Sequence, residues 1–400
     1  MQLVLVMVGL PARGKTYIAR KIARYLSWRG YRTKVFNVGN YRRSLSGAQV
    51  PHSFFDPTND SGVAARTVAA DRARKDLKGW LHQGGQVAIY DATNSSKNRR
   101  DRILRDLDTL NIPVAFIESI CDDPEIIASN IHETKLSSPD YVGMEPSRVI
   151  SDFQARIAHY VSAYEPLENP NLRWIKIIDA GRQVIVNRAD NHLISRIASF
   201  VMNLHVTPRT FWLTRHGQSQ FNLQNRVGGD SSLSGQGLEY ARSLKGFFES
   251  RQVDEIWSST LTRTIETAAP VFGPRRQWKA LDEIYAGECD GMTYEEIESQ
   301  RPIVFAGRKK DKLRFRYPLG ESYTDVIERL EPVIFELERR QQSTLVVAHQ
   351  AVLRALYAYF VEKPLKDVPH LSMPLHTVIQ LTPKTYGCME TRFALGPQLK

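Results

Sequence analysis

Residues 3–16 read LVLVMVGLPARGKT: six apolar residues without a charge, then a loop ending in Gly-Lys-Thr. A short apolar run of this kind is a strand buried on both faces. Gly9-Leu10-Pro11-Ala12-Arg13-Gly14-Lys15-Thr16 fits G-x-x-x-x-G-K-[ST] in full, and an amphipathic stretch follows at once. In that pattern the glycines let backbone N–H groups turn toward phosphates, Lys15 reaches the outer phosphates, and the Thr16 hydroxyl ligates magnesium. A glycine-rich helix entry without a ligand is the competing reading; the strand–loop–helix context weighs against it. A second strand running into a phosphate-type loop begins at residue 211, in FWLTRHGQSQFN (211–222).

Working outward from the first loop, apolar β-branched runs alternate with amphipathic stretches. Strands are predicted at 3–8, 34–38, 87–90, 114–120, 174–178 and 184–186, with helices at 15–28, 63–81, 98–110, 124–136 and 147–164. Such βαβ alternation predicts a parallel sheet covered on both faces. A helix at 191–203 leads into HVTPRT, where Pro208 precedes a new strand, so the boundary is placed between domains 1–207 and 208–400. The second half predicts strands at 210–213, 255–257, 344–348, 377–381 and 391–395, and helices at 236–249, 261–269, 294–299, 323–339 and 351–360. The expected fold is therefore α/β in two domains, each with its own sheet. At 400 residues the chain exceeds what one core usually serves.

Composition restricts the function classes. The net charge is +11, with 28 Lys+Arg against 20 Asp+Glu in residues 1–207 and 26 against 23 in the remainder. No polybasic block occurs, so the excess suits several small anionic-ligand pockets better than a nucleic-acid groove. Cys121, Cys289 and Cys388 are too far apart for metal-ligand spacing and odd in number, which fits a reducing compartment. The opening apolar run is broken by Gly9 and Pro11 and lacks a basic leader, so neither a signal peptide nor a membrane span is expected. The expectation is a cytoplasmic protein, and the closeness of Met1 to the first strand suggests that any regulatory extension is missing or trimmed.

A phosphate loop needs an acid near its metal. Asp91 ends a buried strand in VAIYDATN, where parallel sheets collect ligands, and is read as the metal and phosphate-site acid beside Thr16; a helix cap is the competing reading. Thr93 and Arg99 follow it, placed to meet a second substrate. Arg42, Arg43, Arg66 and Arg156, four residues before Tyr160, are singly ordinary surface arginines and take meaning only together.

The segments GLPARGKTY, FNVGNYRR, YDATN, ESICDDPEII, KLSSPDY and NRADNHLISRI resemble the kinase half of the bifunctional 6-phosphofructo-2-kinase/fructose-2,6-bisphosphatase family. The resemblance implies ATP with Mg2+, held by the loop, Asn130 and Lys135. It also implies fructose 6-phosphate held by Arg42, Arg66, Thr93, Arg99, Arg156 and Tyr160. Cys121 matches a family cysteine near that site, although packing accounts for a buried thiol equally well. No strong general base is evident. Positioning and charge neutralisation by Lys15, Lys135 and magnesium can carry most of a loose phosphoryl transfer.

In the second half, Arg215-His216-Gly217 puts an imidazole beside a guanidinium at a strand end. A lone histidine there is more often structural; a neutral one with a free nitrogen is a nucleophile. Partners follow: Arg263 in SSTLTRTIETA, His349 after the apolar run of LVVAHQAVLRAL, and Glu283 in LDEIYAGECDGMTYEEI, with Glu288 and Asp290 competing for the acid role. This constellation resembles the histidine phosphatase (phosphoglycerate mutase-like) superfamily. By that resemblance Arg215, Arg263 and His349 clamp a phosphoryl group, His216 is phosphorylated, and Glu283 protonates the departing oxygen. Arg308, Lys312 and Arg316 recur every fourth residue before Pro318 and Gly320.

CDGMTYEEI, KDKLRFRYPLGESY, LEPVIFELERR, AHQAVLRALYAYF and PLHTV resemble the bisphosphatase half of the same bifunctional family. That likeness makes these three, with Tyr294 and Tyr323, the cradle of a 6-phosphate, and adds Asn222, Gly228, Gln350 and Arg354 to the fructose 2,6-bisphosphate site. It further implies a homodimer acting on small sugar phosphates and ATP, with no nucleic-acid or membrane partner. Gln218 stands where the family usually carries Glu, which removes a negative charge near an anionic substrate and leaves the nucleophile untouched.

Two other functions would also join a phosphate loop to a phosphatase-like half. A polynucleotide kinase-phosphatase would be expected to carry an Asp-x-Asp loop and a nucleic-acid groove, and neither is evident. A sugar-phosphate sensor with one inactive half has only Gln218 as a hint.

Overall fold

The computed structural model describes residues 2–135, 139–205, 208–384 and 387–396, without the side chains of residues 129, 132–135, 146 and 147. The chain divides into two units, Met1–Val206 and Thr207–Lys400, each built on one six-stranded sheet.

In the first unit the strands are β1 (Leu3–Val8), β2 (Thr33–Asn37), β3 (Val87–Asp91), β4 (Val114–Ile120), β5 (Arg173–Ile178) and β6 (Gln183–Asn187), in sheet order β2-β3-β1-β4-β5-β6. Every residue of β1 and β3 is buried, as the apolar run of β1 and of β3 up to its closing Asp91 requires. Five strands run parallel, but β6 pairs antiparallel with β5. That hairpin departs from the expected all-parallel sheet because only a short turn, Asp179–Gly181, joins the two strands, and a parallel crossover needs a dozen residues or more. Helix Val38–Ser46 was also not expected. Asn37 starts it, its side chain accepting from the Asn40 N–H.

In the second unit β7 (Phe211–Arg215), β8 (Glu255–Ser258), β9 (Arg275–Gln277), β10 (Thr344–Ala348), β11 (Thr377–Pro383) and β12 (Cys388–Ala394) lie in order β12-β11-β7-β10-β8-β9. β7, β10, β8 and β9 are parallel; β11 is antiparallel to β7 and β12. The helix expected over 323–339 is two helices, Tyr323–Arg329 and Glu331–Arg339. Pro332 lacks the N–H that would continue the first, and it sits instead in the opening turn of the second. β9, wholly exposed, and helix Pro302–Lys310 were not expected; neither shows the apolar periodicity that marks an element in sequence.

Candidate functional site

The topology brings the sequence motifs to sheet edges. β2, β3 and β1 are neighbours, and register sets Asn37 opposite Asp91. At this edge Asp91 Oδ2 accepts from Thr16 Oγ1 at 2.8 Å and from Asn37 Nδ2 at 2.5 Å. An ionised carboxylate beside a hydroxyl is an oxygen donor set suited to a hard divalent cation. The loop before Thr16 is wrapped tightly: a Cβ on Gly9, whose φ is +135°, would lie 2.4 Å from the Ser119 carbonyl oxygen. Lys15 Nζ reaches back to the Leu10 carbonyl at 2.5 Å, and Asn130 Nδ2 donates to the Ala12 carbonyl at 3.1 Å. Ser119 Oγ donates to the Arg13 carbonyl, and the Gly9 N–H donates to the Thr93 carbonyl at 2.9 Å.

Arg13, Gly14, Tyr17, Cys121, Asn130 and Leu204 share one cleft beside this loop. Burial pushes the Cys121 thiol up, so it stays protonated. Lys135 ends helix Pro124–Lys135, and its side chain lies outside the described residues.

A second cluster forms around Phe55. The Arg156 guanidinium stacks 3.5 Å from the ring centroid, and those of Arg42 and Arg66 lie at 5.7 and 5.9 Å. The Tyr160 ring is 6.3 Å away. Asp140 ties part of the cluster together, pairing with Arg42 at 2.6 Å, Arg43 at 3.4 Å and Arg156 at 3.6 Å. Burial would raise the Asp140 carboxyl, but the Arg42 hydrogen bond and the surrounding guanidinium charges hold it below its usual range. Burial lowers Arg42 and Arg66, and Arg99 adds its repulsion on Arg66. The structure thus gathers Arg42, Arg66, Arg99, Arg156 and Tyr160 into one electropositive cluster. Asn37, Ser119 and Asp140 went unnoticed in the sequence; Asn37 could have been found as a polar residue ending a β-branched strand.

In the second unit β7 and β10 pair so that Arg215 faces Ala348, and His216 and His349 follow side by side. Their ring centroids are 5.1 Å apart. His216 Nδ1 lies 2.7 Å from the Gly217 carbonyl, which can only accept. Nδ1 therefore carries the hydrogen and Nε2 keeps its lone pair. Burial, with Arg263 and Arg215 nearby, holds the His216 imidazole well below the ordinary histidine range; burial and Arg263 do the same to His349. Both rings are neutral at physiological pH.

His349 Nε2 bonds Ser259 Oγ at 2.7 Å, whereas His349 Nδ1 and Arg215 Nε are buried without a hydrogen-bond partner. Each such group costs about 1–3 kcal/mol unless a ligand satisfies it. Arg215, brought down to about 10 by burial, donates to the Met373 carbonyl at 3.0 Å, and Arg263 donates to the Gly229 carbonyl at 2.7 Å.

Glu283 Oε1 accepts from the Ala351 N–H at 3.2 Å, so its carboxylate sits at the start of the helix after His349. Of the competing acids, Glu288 pairs with Arg301 at 3.4 Å, whereas Asp290 stays beside the site, its Oδ2 accepting from the Gly229 N–H at 2.9 Å and its charge acting on Arg263. Arg354 donates to Tyr323 Oη at 3.0 Å, Arg308 to Tyr294 Oη at 2.8 Å, and Lys312 Nζ to the Pro369 carbonyl at 3.0 Å. Burial, with Arg354 and Arg308 close by, brings Lys312 down to about 8. Arg316 turns instead to Asp325 and stays 65% exposed. The Asn222 side chain closes a capping box with Ser219, and Gln350 opens the helix Gln350–Phe360. Gln218 Oε1 accepts from Ser234 Oγ at 2.8 Å. Ser259, Thr267, whose Oγ1 accepts from the Gly217 N–H at 2.9 Å, and His376, whose Nε2 accepts from the Gln218 N–H at 3.3 Å, are not legible in the sequence, where isolated polar residues carry no periodic signal.

Residues 1–208 match the family model for 6-phosphofructo-2-kinase, and residues 211–394 match that for the histidine phosphatase superfamily (branch 1). A 6-phosphofructo-2-kinase/fructose-2,6-bisphosphatase from Aquarana catesbeiana is 50% identical over 390 residues, covering 96% of this chain and 83% of that protein. The human 6-phosphofructo-2-kinase/fructose-2,6-bisphosphatase 3 is 49% identical over 392 residues, 96% of this chain and 75% of that protein. The Rattus norvegicus 6-phosphofructo-2-kinase/fructose-2,6-bisphosphatase 1 is 50% identical over 389 residues, 96% and 82% respectively. With both halves matched and their phosphate-type loops at the sheet edges, the chain belongs to the 6-phosphofructo-2-kinase/fructose-2,6-bisphosphatase family, a kinase domain followed by an α/β histidine phosphatase domain.

Proposed function

We propose that residues 1–207 transfer a phosphoryl group from ATP to the 2-hydroxyl of fructose 6-phosphate, and that residues 208–400 hydrolyse the resulting 2-phosphate. The observation that carries the second half is the neutral His216 with Nδ1 tied to Gly217, set between Arg215, Arg263 and the unpartnered Nδ1 of His349.

In the kinase half the Gly9–Thr16 backbone and Lys15 hold the nucleotide phosphates, with Asn130 and Lys135 against the nucleotide. Thr16 and Asp91 would hold Mg2+, which neutralises phosphate charge when bound. The Phe55 cluster, with Thr93, binds the sugar 6-phosphate and presents the 2-hydroxyl; Cys121 packs the cleft.

In the phosphatase half His216 Nε2 attacks the 2-phosphorus, while Arg215, Arg263 and His349 take up the charge on the phosphoryl oxygens. Glu283, protonated, gives its proton to the departing sugar oxygen as the P–O bond breaks. As a carboxylate it then takes a proton from water, whose oxygen attacks phosphorus and breaks the N–P bond, restoring His216. Lys312, Arg308, Tyr294, Tyr323 and Arg354 bind the 6-phosphate, with Asn222, Gly228 and Gln350 shaping the pocket and Arg316 at its exposed rim. The same reading makes the chain a cytoplasmic homodimer; sedimentation equilibrium giving a single-chain mass would contradict the dimer.

Both activities are expected in one preparation. Lys15→Met should abolish synthesis of fructose 2,6-bisphosphate and spare hydrolysis, whereas His216→Ala should do the reverse. Loss of both activities in either variant would contradict the assignment of one reaction to each half.

A further inference from the structure

Outside both phosphate sites, two imidazoles meet nitrogen to nitrogen. His52 Nδ1 and His159 Nε2 are 3.3 Å apart, with the rings 15° from parallel. His52 belongs to the one-turn segment His52–Phe55 and His159 to the last turn of helix Pro146–Val161, so the pair bridges two elements. His52 is exposed and His159 partly so, leaving the junction open to solvent.

Two nitrogens bound to one tetrahedral zinc at about 2.0–2.1 Å lie roughly 3.3 Å from each other, which is the separation found here. The outer nitrogen of His159 supplies a second indication. Nδ1 faces Asp56 Oδ2 at 3.7 Å, while Thr58 holds Asp56 Oδ1 through its N–H at 2.8 Å and its hydroxyl at 2.6 Å. A carboxylate behind the distal nitrogen is the partner that metal-binding histidines ordinarily have; at 3.7 Å it makes no hydrogen bond yet and would draw closer to accept the Nδ1 hydrogen once a metal takes Nε2. His52 is fixed from its backbone, its N–H donating to Asp152 Oδ1 at 3.1 Å while Asp152 Oδ2 accepts from Tyr141 Oη at 2.8 Å.

We propose that His52 and His159 form a two-histidine binding site for a divalent transition-metal ion of the zinc type, completed by water and backed by Asp56. Two imidazoles are fewer protein ligands than the three or four of catalytic and structural zinc sites, and among the described residues no group of three or more His, Cys, Asp or Glu side chains could hold a metal, so the proposed site is a weaker, exchangeable one. Imidazole nitrogens select such ions over magnesium, which takes oxygen. On binding, the hydrogen shared between the rings moves to the outer Nε2 of His52, and no net proton need be lost. The ion would clamp segment His52–Phe55 to the helix. That segment carries Phe55, on which Arg156 stacks, and the Phe54 carbonyl, which accepts from Arg66; Tyr160 adjoins His159. Resting on the proposed sugar-phosphate reading of that cluster, the metal would therefore alter fructose 6-phosphate affinity.

The test is calorimetric titration of zinc chloride alone into the intact chain, without nucleotide or sugar, repeated with cobalt and followed by visible absorption. Because the chain has ten histidines, the readout is the difference between variants. One binding event per chain is expected to weaken at least about tenfold in His52→Asn or His159→Asn, and by about 10-fold in Asp56→Asn. No binding by the unaltered chain, or undiminished binding after both rings are replaced, overturns the site. Fructose 6-phosphate affinity, measured by equilibrium binding, should change with zinc in the unaltered chain and not in His52→Asn; no change in either overturns the link to the sugar pocket. A chain that binds zinc through both rings yet lacks 2-kinase activity would refute the proposed function and leave the metal site standing.

Discussion

His216 and His349 sit buried and neutral where most histidines would titrate. Their folded-state pKa values lie below the unfolded value of about 6.5, so as pH falls through 6.5 the unfolded chain takes up protons first and stability declines. Each histidine contributes at most about 1.4 kcal/mol per pH unit. Denaturant melts of the phosphatase unit should show a midpoint falling between pH 6.5 and 5, with a shallower fall in His349→Asn; an unchanged slope would contradict buried neutral imidazoles. Lys312 works in the opposite pH range. Its ammonium, lowered to about 8, is lost as pH rises through that value, so KM for the bisphosphate should climb above pH 8 while kcat holds. Lys312→Met should raise KM at neutral pH and flatten that limb.

At the level of elements, the loops are held where they are by close approaches that only glycine permits. Gly228 has φ +65°, and a Cβ there would lie 1.7 Å from Asp290 Oδ1. Gly228→Ala should therefore break the Asp290 bond to the Gly229 N–H and shift the carbonyl that Arg263 donates to, costing about 1–3 kcal/mol in stability. Thermal unfolding and KM would both register it; unchanged values would show that the loop relaxes freely.

What could be read from sequence follows the same logic. β1, β3 and β10 were legible because continuous apolar runs have few alternative folds. The β5–β6 hairpin and the break at Pro332 were not anticipated, since the first depends on a tight turn and the second was overridden by apolar periodicity on both sides. Asp140 was invisible for a different reason: it acts on residues 97–98 positions distant, and sequence spacing carries no trace of that proximity; Asn37, which acts on Asp91 54 positions away, left only the hint of a polar residue at a strand end.

For the whole molecule, each of the two units carries its own set of cations, most of them on the helices that follow its strands, and on the proposed reading one set serves to place a phosphoryl group on a sugar and the other to remove it. The first set gathers around Phe55 and Asp140, in the unit whose phosphate loop meets Asp91 through Thr16; the second lies about His216, whose Nε2 keeps its lone pair. The nature of the second reaction decides whether the chain both makes and unmakes one metabolite. Incubating the chain with fructose 2,6-bisphosphate labelled at the 2-phosphate, quenching in alkali and mapping the labelled peptide tests this directly. Label on His216, absent in His216→Ala, is the predicted result; label released as inorganic phosphate with none passing through His216 would contradict it.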